Sequence, residues 1–151
     1  MYRVSDDKAI GVPLKQFLIA GAWAGLTAAV MNNLYGLVYT STTGFSAGGA
    51  VSILTITIAS FVPLLLAGLV YYGLSKSSSK PTPYFILLSI LLTMFTERLR
   101  VLAIYVYDSD VPVEFYGLVL PMNFMAGFIA AIVIPMYMLR HGYKERLQEH
   151  A

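Results

Sequence analysis

The sequence contains no cysteine, which excludes disulfides, thiol redox chemistry and cysteine-bound metals. Charge is nearly as scarce: Asp, Glu, Lys and Arg make up 12% of the 151 residues, about half of what a soluble domain carries. Histidine occurs only at His141 and His150, close to the end of the chain. What fills the space instead is apolar, with 58% hydrophobic residues and a mean hydropathy of +0.70. A composition of this kind describes a chain whose solvent is mostly lipid. The net charge of +2 adds little, since the basic residues are largely those that membrane topology demands, and nothing points to nucleic acid.

Four apolar stretches are each long enough to cross a hydrocarbon core, which takes roughly 20 helical residues. They run over residues 16–39, 51–74, 84–107 and 116–139. None shows the in-out alternation of a barrel strand, so helices are expected, and the short connections make neighbours antiparallel. The predicted fold is all-α: an antiparallel bundle of four transmembrane helices forming one domain over residues 1–151. The first stretch is too long for a signal-peptide core and is expected to remain as a helix. Arg3, Lys8 and Lys15 precede it, Lys76 and Lys80 separate the second and third stretches, and Arg140, Lys144 and Arg146 follow the fourth. The opposite connections carry no charge from Thr40 to Ala50 and an acidic turn from Asp108 to Glu114. Both termini are therefore predicted to be cytoplasmic, with a prokaryotic-type inner (plasma) membrane as the expected location.

Lipid gives no hydrophobic drive for helix association, so packing depends on shape and on small residues. Gly21, Gly25, Ala28, Asn32 and Gly36 follow steps of four, three, four and four and share one face of the first helix. Asn123, Gly127 and Ala131 repeat the pattern in the fourth. These faces are candidate packing seams, either within the bundle or against another subunit. Pro63, Pro121 and Pro135 each free a carbonyl one turn earlier and favour bends.

The polar residues of the spans converge in depth. At about 1.5 Å per residue, Asn32, Asn33, Thr55, Thr57 and Asn123 fall in the outward leaflet, and Glu97, Arg98 and Arg100 fall in the outer half of the third helix. Thr93, Glu97 and Arg100 lie on one stripe at i, i+4 and i+7, whereas Arg98 points about 100° away from Glu97. An unpartnered arginine at mid-membrane costs at least roughly 2.5–3.5 kcal/mol, so each charge needs a partner or a headgroup. Three readings follow. The third helix ends near Thr96, or sits shifted, so that the charges snorkel to the headgroups; the charges join an internal network with Asn32, Asn33 or Asn123; or they form a site for a lipid headgroup or for an acidic residue of another protein.

Catalysis lacks a basis, because no Ser or Thr stands in a triad setting with histidine. Glu97 is the sole carboxylate within a predicted span, and no histidine matches its depth, so neither a metal nor any other cofactor is expected. Ala29-Val-Met-Asn-Asn-Leu-Tyr in the first helix, Ile58-Ala-Ser-Phe-Val-Pro-Leu-Leu-Leu-Ala-Gly in the second, the basic Ser-Lys turn and Ala130-Ala-Ile-Val-Ile-Pro in the last give the chain a likeness over residues 16–139. In these segments it resembles a group of small prokaryotic four-helix integral membrane proteins that form an uncharacterised domain family. The charged Glu97-Arg-Leu-Arg segment departs from that pattern. The resemblance implies fold and topology and no activity.

Small-residue seams, minimal loops and the missing catalytic set point first to a non-catalytic membrane protein, a small subunit or assembly factor of a larger complex. Its partners would be membrane lipids and other membrane subunits or further copies of the chain. The alternative is a small-molecule or lipid binder, or an oligomeric transporter, using the outer-leaflet cluster.

Overall fold

The computed structural model describes the backbone of residues 12–45, 52–107 and 112–149, together with their side chains except those of 99–107 and 142–149. Arg3, Lys8, Lys144, Arg146 and the Asp108 and Asp110 turn therefore lie outside the described side chains, and so does Arg100. Four helices account for the described chain: α1 Leu14–Thr43, α2 Ile53–Ser77, α3 Pro81–Tyr107 and α4 Val113–Glu149. Each expected stretch falls on one helix, but the ends differ, because hydropathy marks apolar segments and capping marks helices. Ser52 accepts the Thr55 N–H at 3.1 Å and starts α2 two residues after the expected Val51. α1 runs on through Thr40 to Thr43, whose hydroxyls fold back onto carbonyls three or four residues earlier, and Gly44 closes it in the left-handed region at φ 69°. Pro81 opens α3, where a missing N–H costs nothing.

An end of the third helix near Thr96 is overturned: α3 continues through Glu97 and Arg98 to Tyr107. Helices α1, α2 and residues 113–141 of α4 are long and apolar enough to cross a membrane. Their outward faces carry large apolar side chains such as Trp23, Leu37, Leu54, Leu66, Phe128 and Ile132. Water would not support so much exposed hydrocarbon, whereas lipid requires it.

The helices run antiparallel around a ring, with α1 and α3 on a diagonal. Their closest approach is between α1 and α2, where glycine brings backbone against backbone. A Cβ at Gly21 would stand 2.7 Å from the Leu64 carbonyl oxygen, one at Gly25 would stand 3.1 Å from the Phe61 Cα, and Gly68 lies against the Phe17 carbonyl. Ala24 and Ala28 continue this buried face. At the end holding the α2–α3 hairpin, Phe17, Tyr71 and Phe85 interlock, with Tyr71 edge-on to Phe85 at 4.9 Å between centroids. Tyr71 and Thr82 hydroxyls pair at 2.8 Å across that hairpin. Aromatic packing dominates the core of this end, with an open groove of about 300 Å³ beside it between α1 and α4, and the polar side chains of the spans join helices toward the far end.

Because the Gly21 position is filled by α2 backbone, Gly21→Ala should lower unfolding stability in mild detergent by about 1–3 kcal/mol. Gly73→Ala is the control: nothing lies within 4 Å of its Cβ position, and the change should be neutral or stabilising. Equal losses for the two variants would refute the seam.

Candidate functional site

The far half of the bundle owes its shape to α3. It meets α2 beside the hairpin, and in the far half it engages α4, where Thr93 packs on Gly127. α1 is held to α4 by two tyrosines. Tyr39 donates to the Glu114 carbonyl at 2.8 Å, and Tyr35 donates to the Gly117 carbonyl at 2.7 Å. The second bond has a cause in the sequence, since Pro121 has no N–H to offer the carbonyl four residues before it. With α1 tied to both α2 and α4, a cavity of about 230 Å³ remains between those three helices.

Asn32 from α1, Thr55 and Ser60 from α2 and Asn123 from α4 supply its polar lining. Ile56, Phe115, Val119 and Met122 supply most of the apolar wall. Asn32 is 3% exposed, and its Nδ2 donates to Ser60 Oγ at 2.9 Å. Its Oδ1 is buried and has no hydrogen-bond partner. On the α4 side, Asn123 Nδ2 donates to Glu97 Oε1 at 2.5 Å. Glu97 is 8% exposed, so its carboxyl is turned into the bundle, which is the only economical direction for it in an apolar surrounding.

Four of the predicted polar residues thus come together: Asn32, Thr55 and Asn123 in the cavity wall and Glu97 directly behind Asn123. The others go elsewhere. Asn33 donates to Thr57 Oγ1 at 3.0 Å and to the Ala29 carbonyl at 2.8 Å, outside the cavity lining. Thr93 returns its hydroxyl to the Ser89 carbonyl at 2.8 Å and lines a separate shallow crevice of about 40 Å³ with Phe124 and Phe128. Arg98 is exposed, about 100° around α3 from Glu97. The Arg100 side chain lies outside the described residues. On the seam faces, Gly21, Gly25 and Ala28 lie in the α1–α2 contact, Gly127 faces Thr93 and Ala131 is buried.

Two cavity residues escape the depth argument. Ser60, the partner of Asn32, lies deeper in α2 than the threonines that depth reasoning selects. Ala59 also lines the cavity, and its carbonyl is the one that Pro63 deprives of a helical donor. Counting back four residues from the proline would have marked it.

Chemically, the arrangement offers hydrogen bonds and an apolar wall. His141, with its ring stacked on Tyr137 at 4.0 Å, sits at the other end of the bundle. Among the described residues no cluster of three His, Cys, Asp or Glu side chains is placed to hold a metal ion. Comparison with known proteins finds no matching family, no matching curated protein and no matching solved structure.

The Asn123–Glu97 bond joins α3 to α4 in a low-dielectric setting. A double-mutant cycle of Asn123→Ala and Glu97→Ala, followed by reversible unfolding in detergent micelles, should give a coupling of at least about 1 kcal/mol. Strictly additive losses would remove the bond from the account.

Proposed function

We propose that this chain is an integral membrane protein that binds a small amphiphile from the bilayer in the cavity between α1, α2 and α4, without catalysing a reaction on it. The observation that carries the reading is the cavity itself: space for a ligand, a mostly apolar wall, and a buried asparagine with hydrogen-bonding capacity to spare. The sequence alone favours a subunit role, on the strength of small-residue seams, minimal loops and the missing catalytic set. The first of these motives weakens once α2 fills the positions opposite Gly21 and Gly25.

The same proposal holds that α3 is a fourth span and that both termini are cytoplasmic, in a prokaryotic-type inner membrane. Its 27 residues reach about 40 Å as a helix, and Glu97 is sheltered against α4. Lys15, Lys76, Lys80 and Arg140 all stand at the end of the bundle with the α2–α3 hairpin, and Glu114 stands at the other. This is the charge asymmetry expected of an N-in, C-in protein. The absence of native cysteine makes the test clean. In intact cells, a membrane-impermeant maleimide should label Thr42→Cys and leave Lys15→Cys and Lys80→Cys unlabelled until the membrane is opened. Labelling of Lys80→Cys from outside would refute the topology.

For the binding reading, native mass spectrometry of the protein released from nanodiscs should find a retained small amphiphile, lost when Ala126→Phe fills the cavity. Retention unchanged by that substitution would refute it.

A subunit role is favoured by one other observation. Arg98 is exposed on a face of α3 shared with Leu91, Met94 and Phe95, which are 54%, 56% and 58% exposed. A cation on an apolar outward face suits the carboxylate of a neighbouring membrane subunit as well as a headgroup phosphate. In the same mass spectra a stoichiometric foreign subunit, released by Arg98→Ala, would establish that role; a chain alone with its amphiphile would exclude it.

A further inference from the structure

We infer that the open groove between α1 and α4, at the hairpin end of the bundle, holds an anionic phospholipid of the surrounding bilayer, with its phosphate on Arg140 and one acyl chain along the groove. The site is separate from the cavity between α1, α2 and α4: the two share no lining residue, and the inference stands whether or not the cavity binds a ligand. The groove offers about 300 Å³ and is bordered by Trp23 and Thr27 of α1 and by Val133, Met136, Tyr137 and Arg140 of α4. Trp23 and Met136 are exposed, so the groove opens toward lipid. Arg140 stands about 39 Å along α4 from Glu114, close to the bilayer width of about 40–45 Å with headgroups, so these two charges mark the two headgroup layers. Thr27 lies about 18 Å along α1 from Lys15, at the depth of acyl chains. The groove therefore runs from a headgroup layer into hydrocarbon, cationic at one end and mostly apolar along its length, which is the complement of an anionic phospholipid.

Charge decides the head. Arg140 is exposed, and the positions one helical turn to either side of it are Met136, Tyr137, Tyr143 and Lys144, none of them acidic. The described carboxylates, Glu97 and Glu114, belong to the far half of the bundle, whereas Lys15, Lys76 and Lys80 share the end that holds Arg140. An arginine at this level is placed to take an anion, and its guanidinium fork matches a phosphate in shape as well as in charge. A zwitterionic lipid offers the same phosphate but brings an ammonium group into a region already cationic; an anionic lipid does not. Trp23, the single tryptophan of the chain, has the apolar body and N–H tip that settle near the headgroups of a bilayer. Tyr137 is braced by stacking on His141 at 4.0 Å, which steadies that wall of the groove. A soluble anion would meet Arg140 and leave Trp23, Val133 and Met136 unused, so a lipid is the occupant that fits the whole groove.

The test uses the full chain in nanodiscs carrying a trace of one of two photoreactive lipids with identical acyl chains, a phosphatidylglycerol and a phosphatidylcholine, each with a diazirine midway along one chain. Crosslinks are mapped by peptide mass spectrometry. They should concentrate on residues 23–27 and 133–137, and phosphatidylglycerol should label these segments about fivefold more than phosphatidylcholine, the scale set by one basic side chain beside an anionic lipid. Arg140→Gln should bring that ratio near one, whereas Lys80→Gln, which removes a charge from the same end but not from the groove, should leave it at about fivefold. Thr27→Phe should lower labelling of both segments by filling the groove. Arg140, Lys80 and Thr27 are all exposed, so these changes leave the core intact. Ala126→Phe, which fills the cavity, should leave this labelling as it is, so the two sites stand or fall separately. Equal loss of preference in Arg140→Gln and Lys80→Gln would reduce it to the diffuse field of that end and overturn the site. Crosslinks spread evenly over the lipid-facing surface would overturn it too, as would a second copy of the chain seated in the groove, seen by native mass spectrometry as a dimer that Arg140→Gln dissociates.

Discussion

The structure depends on one contact, the approach of α1 and α2 backbones to each other where Gly21, Gly25 and Gly68 carry no side chain. In lipid, burial of hydrocarbon does not distinguish a helix neighbour from an acyl chain, so association must come from dispersion over closely matched surfaces. Glycine and alanine permit that closeness. Everything else is hung on the α1–α2 pair: α4 docks on α1 through Gly36 and the two tyrosines, and α3 docks on α4 through Gly127 and Asn123.

The two ends of the bundle then differ in kind. Near the α2–α3 hairpin, the rings of Phe17, Tyr71 and Phe85 pack between the helices. At the other end, asparagine, serine, threonine and glutamate join the aromatic rings, and their hydrogen bonds tie helices in pairs: Asn32 with Ser60, Asn33 with Thr57, Asn123 with Glu97. Directional bonds hold helices at set distances without filling the volume between them. That is a physical reason for space to remain among these polar groups.

Prolines link this packing to the chemistry of the site. Each takes a donor from the carbonyl four residues earlier, and the bundle treats two of these carbonyls differently. The Gly117 carbonyl is answered by Tyr35, which ties α1 to α4. In α2, Ala59, whose carbonyl Pro63 leaves without a helical donor, is among the residues that line the cavity. One covalent feature thus serves a structural clamp in α4 and falls beside the cavity in α2, and tertiary context alone separates the two settings.

The sequence by itself determined that the chain is helical, where its four helices lie, and which residues are small or polar enough to matter, because apolar length and residue size are local properties. It also brought Asn32, Thr55, Glu97 and Asn123 to a common depth, since helical rise is constant. Depth does not say which way a side chain turns. Only the tertiary structure separated Asn32, in the cavity, from Asn33 beside it, and Glu97, turned into the bundle, from Arg98, turned out of it. Adjacent helical residues diverge by about 100°, so one rotation of a helix decides which becomes part of a site. The rotation of α1 is set by where its glycines meet α2 and that of α3 by where Gly127 of α4 receives Thr93, and such pairings exist only after the chain has folded.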